Sequence, residues 1–145
     1  MNMPRAYPLA PICAVGAIIF KHDSVLLIQR GNAPGYGKWS IPGGAVHLGE
    51  SLEDAVIREV REETLLRIRP IQIGKVVDRI YKDGSGRIQY HFVIVDYLCE
   101  VLEGEPQPSS DATAVSYFKV EELTNLDLTE GTAEVISEIY RHRIP

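Results

Sequence analysis

The chain has little cysteine, with Cys13 and Cys99 the two such residues among 145. Their number and spacing match neither a disulfide framework nor a cysteine-rich metal site, so an apolar core must stabilise the fold. Each lies among apolar residues, and we expect both to be reduced side chains within that core. With 45% apolar residues, the chain is long enough to form one domain over residues 1–145.

Excess positive charge and long apolar runs are also missing. Fifteen Lys and Arg residues against twenty Asp and Glu residues give a net charge of -5. That balance argues against general nucleic-acid binding, although a bound cation would still allow a small phosphorylated ligand. No apolar run approaches membrane-spanning length, and residues 1–5 lack the basic-then-apolar pattern of a signal peptide. We therefore expect a cytoplasmic protein that does not associate with a membrane.

Apolar, β-branched segments separated by turn residues predict a domain rich in strands. The predicted strands cover residues 12–20, 25–29, 68–81, 89–101 and 115–120. The charged residues 21–24 and the glycine-containing residues 82–86 are typical of hairpin turns. Residues 31–37 and 103–110 are predicted loops.

Two helices complete the predicted domain. The first begins at Ser51, because Ser51 and Asp54 form a Ser-x-x-Asp pattern typical of a helix N-terminus. The second covers residues 129–143. Its face expected to pack on the sheet carries Ala133, Ile136 and Tyr140. These elements predict a mixed α/β or α+β domain, and patterning alone leaves the strand topology open.

The most informative segment joins a glycine pair to a helix that is rich in carboxylates. Gly43 and Gly44 predict a turn before the helix, and Glu59, Glu62 and Glu63 follow on one side of it. At 100° per residue the three acids lie within about 100° of one another, beside the apolar stripe. That stripe, expected to face the core, consists of Val56, Ile57, Val60 and Thr64. Like charges at this spacing repel, whereas Mg²⁺ or Mn²⁺ would reverse the effect and leave positions open for phosphate.

A solvated helix with ion pairs is the alternative interpretation of the same residues. Arg58 is four residues from both Asp54 and Glu62, and each such pair contributes about 0.2–0.5 kcal/mol. This interpretation leaves unexplained why Glu59 and Glu63 crowd the same side. On the helix alone, both interpretations remain open.

In order and spacing, these residues resemble the Nudix box of the Nudix hydrolases. Gly44, Glu50 and the run REVREE at residues 58–63 match the signature, which would span residues 44–66, and residues 39–44 are similar to the usual approach to it. The resemblance implies an α/β/α sandwich with a mixed sheet between helices. Leu65 departs from the family pattern, since it stands where a glycine usually ends the helix in a left-handed conformation. That conformation costs leucine roughly 1–2 kcal/mol, so the helix either continues or ends differently.

The resemblance also implies a chemistry, the divalent-metal-dependent hydrolysis of a phosphoanhydride in a nucleoside diphosphate linked to another group. The implied metal ligands are Glu59, Glu62, Glu63 and the carbonyl of Gly43. Arg58 would orient the acids by pairing, with Glu50 as the expected partner. The general base is expected to be Glu59, then Glu50, then Asp111 in the loop at 109–111, where a solvated turn residue is the alternative interpretation. Arg30 would meet phosphate or be an exposed arginine at a strand end.

Several substrates remain open within this class. We favour ADP-ribose or a sugar nucleotide, with a sanitising nucleoside triphosphate pyrophosphatase as the alternative, and dinucleoside polyphosphates are not excluded. A non-catalytic nucleotide-binding regulator is a further alternative, although all the acids of the box are present. Many relatives dimerise, which leaves a homodimer open. Trp39 is expected to anchor its loop and His91 to be at least half-buried, while Arg79, Tyr81 and Arg87 stay unassigned.

Overall fold

The computed structural model describes residues 4–143, which form seven strands, a 3₁₀ helix and two α-helices. The strands are β1 (Ile12–Lys21), β2 (Ser24–Arg30), β3 (Trp39–Ser40), β4 (Gly43–Ala45), β5 (Arg67–Lys82), β6 (Ile88–Glu103) and β7 (Ala112–Lys119). The helices are α1 (Leu52–Thr64), the 3₁₀ helix Val120–Asn125 and α2 (Thr132–His142). Within the described residues, no helix combines the length and apolar character needed to cross a membrane.

The strands form one mixed sheet in the order β3-β2-β1-β6-β5, to which β4 adds on β1 and β7 on β2. β1 and β6 are parallel, in a register that runs from Ile12 opposite Phe92 to Ile19 opposite Cys99. The pairs β1–β2 and β5–β6 are antiparallel hairpins, as the predicted turns require. β1 therefore lies at the centre of the sheet.

α1 and α2 pack on opposite faces of this sheet, because successive side chains of β1 point to opposite sides. Ala17 and Ile19 join a buried cluster with Val56 of α1. Ile18 joins the other cluster with Ile136 of α2. The result is the α/β/α sandwich with a mixed sheet that the sequence resemblance implies.

The predicted strands are present, with shifted ends. The last one begins at Ala112, earlier than expected, and Val120 belongs to the 3₁₀ helix. α2 is shorter than predicted, and its buried residues are Val135, Ile136 and Ile139, so Ile136 is the one residue of the predicted face that is fully buried. Ala133 and Tyr140 are only half-buried, since Tyr140 lies at the rim, edge-on to Phe20.

The prediction for the two cysteines is correct for one of them. Cys99 is buried at 4% exposure, whereas Cys13 is exposed. Cys13 lies beside Val93, itself 36% exposed, and the β1 residues buried under α1 begin only at Val15. An apolar sequence neighbourhood at a strand end therefore did not imply burial.

The two ends of α1 are determined by Ser51 and Leu65. Ser51 caps the N-terminus, where its Oγ accepts the N–H of Asp54 at 3.1 Å. At the C-terminus, Leu65 itself takes the left-handed conformation, with φ 63° and ψ 7°, and donates its N–H to the carbonyl of Arg61. The turn that the family makes with glycine is thus retained, and it places Leu66 fully inside the core.

Replacing Leu65 with glycine should stabilise the protein relative to replacement with alanine. Both changes remove the isobutyl group of Leu65, a residue that is 43% exposed. Alanine, unlike glycine, keeps a Cβ on a backbone with left-handed φ. We expect Leu65→Gly to be about 1 kcal/mol more stable than Leu65→Ala, with little change in activity. Urea unfolding of the two variants measures the difference, and equal stability would show that Leu65 is not strained.

Candidate active site

Two carboxylates with low solvent exposure lie in the C-terminal half of α1. Glu63 is only 6% exposed, and its Oε1 accepts the N–H of Gly43 at 2.8 Å. Burial raises the pKa of Glu63 to about 8 in spite of this hydrogen bond. Burial also raises the pKa of Glu59, whose side chain is 13% exposed. Without a cation, the site therefore disfavours the charged forms that it brings together.

Arg58 connects the acids around these two residues. Its Nε and Nη2 donate to the two carboxylate oxygens of Glu50 at 2.8 and 3.0 Å, which is the pairing expected from the sequence. Its Nη1 donates to Glu59 at 2.9 Å and, at 3.3 Å, to Glu62. The Arg58 guanidinium, helped by the N–H of His47, lowers the pKa of Glu50 to about 2.

The solvated-helix interpretation does not describe this network. The side chains of Glu50 and Glu59 are 16% and 13% exposed, so their contacts with Arg58 lie within the fold. Asp54 is absent from the ion pairs found within residues 4–143. The helix thus places a guanidinium among carboxylates at the edge of the core, where charge interactions are weakly screened.

The glycine pair does not form the predicted turn before the helix. Gly43 and Gly44 belong to strand β4, which pairs antiparallel with β1, and a loop separates β4 from α1. A Cβ on Gly43 would overlap the carbonyl of Val15, and one on Gly44 would lie 2.5 Å from the carboxylate of Glu59. The glycines are therefore needed for close approach, because they let the backbone of β4 lie against the acids.

These residues border a cleft of about 510 Å³ between β4, the end of α1 and the face of the sheet that α2 covers. Its charged or phenolic lining includes Arg5, Arg30, Lys38, Glu59, Glu63, Arg79, Tyr81, Asp96, Asp111 and Glu130. Arg30 is half-buried and held by a 2.7 Å hydrogen bond from its Nε to the carbonyl of Pro34. Burial lowers the pKa of the Arg30 guanidinium. Asp111 is exposed in the same cleft, and its carbonyl accepts the N–H of Gly31.

Other residues singled out from the sequence lie outside the cleft lining. Glu50 pairs with Arg58, and Glu62 is 45% exposed and contacts the same guanidinium. Trp39 packs edge-on to Phe118 at 4.9 Å between ring centroids, as expected of a structural anchor. Arg87 lies over the ring of Tyr7, and His91 is half-buried.

Sequence reasoning missed Asp96, which lies on β6 at the floor of the cleft. It is 4% exposed, and its Oδ1 has no hydrogen-bond partner within the described residues. Burial raises the pKa of Asp96 to about 6, although the Arg79 guanidinium opposes that shift. The available signal was a lone acid in the otherwise apolar run at residues 92–99, because a buried charge without a partner is costly.

Asp96 should make stability depend on pH. Its pKa is about 6 in the fold against an ordinary 3.8, so its contribution to stability falls as pH rises from about 4 to 6 and is then constant. At 1.36 kcal/mol per pKa unit, Asp96→Asn should be about 3 kcal/mol more stable than the parent at pH 8 and no more stable at pH 3. Urea unfolding in chelator measures this, with exposed Asp78→Asn as the control. A gain that is equal at both pH values would contradict the assignment.

The donor set fits a divalent cation, although no three His, Cys, Asp or Glu side chains of residues 4–143 converge on a ready-made metal position. Glu63 is buried and Glu59 is half-buried, burial raises the pKa of both carboxyl groups, and glycine backbone lies directly beside Glu59. Carboxylate and carbonyl oxygens are the ligands that Mg²⁺ and Mn²⁺ prefer. A cation here would compensate the buried negative charge.

Comparison with known proteins agrees with this geometry. A NUDIX domain model matches residues 11–139. The chain is 35% identical over 118 residues to an ADP-ribose pyrophosphatase from Methanocaldococcus jannaschii, a match that covers 81% of this chain and 68% of that protein.

Solved structures show the same similarity. A MutT NUDIX hydrolase from Burkholderia pseudomallei superposes with a TM-score of 0.79 at 32% identity, covering 89% of this chain and 98% of that one. The NUDIX domain of Shewanella oneidensis NrtR, in complex with ADP ribose, superposes with a TM-score of 0.75 at 25% identity, covering 91% and 88% of the two chains. Together with the fold and the acids of the box, these matches show that the chain belongs to the Nudix hydrolase family.

Proposed function

We propose that this Nudix hydrolase uses Mg²⁺ or Mn²⁺ to cleave the phosphoanhydride bond of ADP-ribose or a related nucleoside diphosphate sugar. The observation that carries the proposal is one cleft of about 510 Å³ that holds the buried carboxylate of Glu63 and the half-buried carboxylate of Glu59 together with Arg30. Its size suits a nucleotide rather than a macromolecule. The similarity to an ADP-ribose pyrophosphatase supports the choice of substrate.

In this proposal the cation is held by the carboxylates of Glu59, Glu62 and Glu63 and by the carbonyl of Gly43. When bound, it neutralises the diphosphate, polarises a phosphorus–oxygen bond and lowers the pKa of a water molecule. Arg58 holds Glu59 and Glu62 on one side of α1 through hydrogen bonds of 2.9 and 3.3 Å. Glu50 in turn fixes Arg58 through two such bonds.

Glu59 is the general base that the contacts favour. Both oxygens of Glu50 accept hydrogen bonds from Arg58, and one also accepts the N–H of His47, so Glu50 has little capacity to take a proton. Glu59 has one such contact, through Oε1, and lines the cleft. Asp111 also lines the cleft and remains the third candidate. A kinetic comparison of Glu59→Gln, Glu50→Gln and Asp111→Asn would rank the three acids.

Arg30 is proposed to bind the diphosphate. Among residues 4–143 its guanidinium donates one hydrogen bond, to the carbonyl of Pro34, which leaves the remaining N–H groups for anionic oxygens. Planar N–H pairs match phosphate oxygens well, and the low exposure of Arg30 strengthens the interaction. The positive charge of Arg30 would thus attract the diphosphate, which the acids of the cleft repel.

The proposed function is tested by identifying the hydrolysis products that the protein releases from a panel of nucleotides. The panel contains ADP-ribose, sugar nucleotides, dinucleoside polyphosphates and common and oxidised triphosphates, each with Mg²⁺, Mn²⁺ or chelator. We expect AMP and ribose 5-phosphate from ADP-ribose, and no product in chelator. Pyrophosphate from triphosphates would favour the sanitising alternative, whereas tight binding without turnover of any compound would favour a regulator.

The proposal also includes the cellular location, the partners and the oligomeric state of the protein. We place one hydrolase domain, residues 1–145, in the cytoplasm, where an exposed thiol such as Cys13 is kept reduced. Small nucleotides are the proposed partners, without nucleic acid or membrane. A homodimer is supported by Ile73, Val76 and Ile80, which leave apolar surface exposed on the edge strand β5. Light scattering of the purified protein would determine its mass in solution.

A further inference from the structure

The cleft extends beyond the carboxylates along three adjacent strands. Gly43 of β4 lies opposite Gly16 of β1, and Gly16 lies opposite Asp96 of β6. Neighbouring strands are about 4.8 Å apart, so about 10 Å separates the backbone of Gly43 from that of Asp96. This separation is comparable with the length of a nucleoside between its 5′ oxygen and the far edge of its base.

Asp96 is the polar group at this far end. Its side chain leans over Gly16, where a Cβ would overlap Oδ1, so the absence of a side chain at Gly16 makes room for the carboxylate. The side chain is more than nine-tenths buried, and Oδ1 has no hydrogen-bond partner among residues 4–143. Arg79 is the cationic group whose charge acts on it. A ligand that donates a hydrogen bond to Oδ1 would satisfy this atom.

Apolar lining residues lie next to Asp96. Ile41 approaches the same Gly16 that Asp96 leans over, Ile94 lies two residues away along β6, and Val77 is opposite Ile94 on β5. Such residues suit a flat ring with hydrogen-bonding groups at its edge, because each hydroxyl of a sugar would need a polar partner there. The far end of the cleft therefore favours a nucleobase over the second sugar of the substrate.

We propose that Asp96 accepts a hydrogen bond from the amino group of the substrate's nucleobase and thereby selects amino-bearing bases over their oxo counterparts. An ionised carboxylate offers acceptors alone. The N–H of an amino group complements it, whereas an oxo group in the same place brings lone pairs against a buried negative charge. Asp96 is thus a specificity-determining residue. This inference rests on the proposed function, since it concerns the base of the nucleotide that is cleaved.

Substrate pairs that differ at one position of the base provide the test. The pairs are ADP-ribose with inosine diphosphate ribose, and ATP with ITP, assayed at pH 8 for kcat and KM. For the unmodified protein we expect kcat/KM to be at least about tenfold higher for the amino member of the hydrolysed pair. In Asp96→Asn the amide can also donate, so the preference should fall to within about threefold or invert.

Asp78→Asn is the matched control, because Asp78 lies exposed on the neighbouring strand β5 and outside the cleft lining. It should retain the parental preference. The inference is overturned if the unmodified protein cleaves both members equally, a result that does not depend on any variant folding. It is also overturned if Asp96→Asn lowers both rates in the same proportion, as a merely structural role would. Absence of cleavage of every compound would instead contradict the proposed function.

Discussion

Glu63→Gln is expected to lower kcat for hydrolysis by about a thousandfold and to leave the fold intact. Loss of one charged ligand removes several kcal/mol of transition-state stabilisation, at about 1.4 kcal/mol per tenfold in rate. The amide oxygen of glutamine can still accept the N–H of Gly43, which bonds to Glu63 at 2.8 Å in the parent. Steady-state kinetics with saturating Mg²⁺, beside a thermal melt, measure both effects.

The control for this variant is Glu103→Gln. Glu103 is also a glutamate, but its side chain is 71% exposed and forms an ion pair with Arg67 far from the cleft. It should keep the parental rate, because exposed ion pairs contribute little. If Glu63→Gln were folded and as active as this control, the carboxylate of Glu63 would have no part in the reaction.

Gly44→Ala should be the second most damaging change, with a fall in kcat of about a hundredfold. The added methyl group would lie 2.5 Å from the carboxylate of Glu59, so either the carboxylate or β4 must move. Displacement of a reacting group by about 1 Å can lower a rate by about a hundredfold, even when binding of the substrate is retained. We therefore expect kcat to fall much more than KM rises.

Gly84→Ala is the matched control for the glycine change. Gly84 lies in the hairpin between β5 and β6, has no heavy atom within 4 Å of the added Cβ and does not have a positive φ. Its replacement should leave both kinetic constants unchanged. Parental activity in Gly44→Ala would show that Glu59 does not need its position against β4.

The local elements of this fold were predictable because short-range patterns encode them. Ser51 caps α1 through a bond to Asp54, and the apolar run of β1 becomes the central strand. The pairing of β1 with β6 was not predictable, since parallel strands far apart in sequence leave no local signal. The prediction that Cys13 is buried was wrong for the same reason. Its exposure depends on where α1 ends over the sheet, which no local pattern shows.

The contacts within the candidate site were predictable where the sequence motif that includes α1 determines them. Arg58 and Glu50 pair as the resemblance implies, and Glu63 lies beside Gly43. The role of the glycine pair was misread as a turn, because glycine permits both a turn and a close approach of backbone to a side chain. Asp96 comes into the cleft only through sheet pairing, which no spacing along the chain reveals.

The central claim is that a divalent cation held by these carboxylates is required for hydrolysis. The most direct test uses electron paramagnetic resonance to measure Mn²⁺ binding and measures AMP release from ADP-ribose in the same samples. For the parent and for Glu103→Gln, the rate of AMP release should rise in proportion to bound Mn²⁺ and vanish in chelator. Glu63→Gln should bind Mn²⁺ at least about tenfold more weakly. Equal Mn²⁺ binding by Glu63→Gln, or AMP release that continues in chelator, would contradict a cation held by these carboxylates.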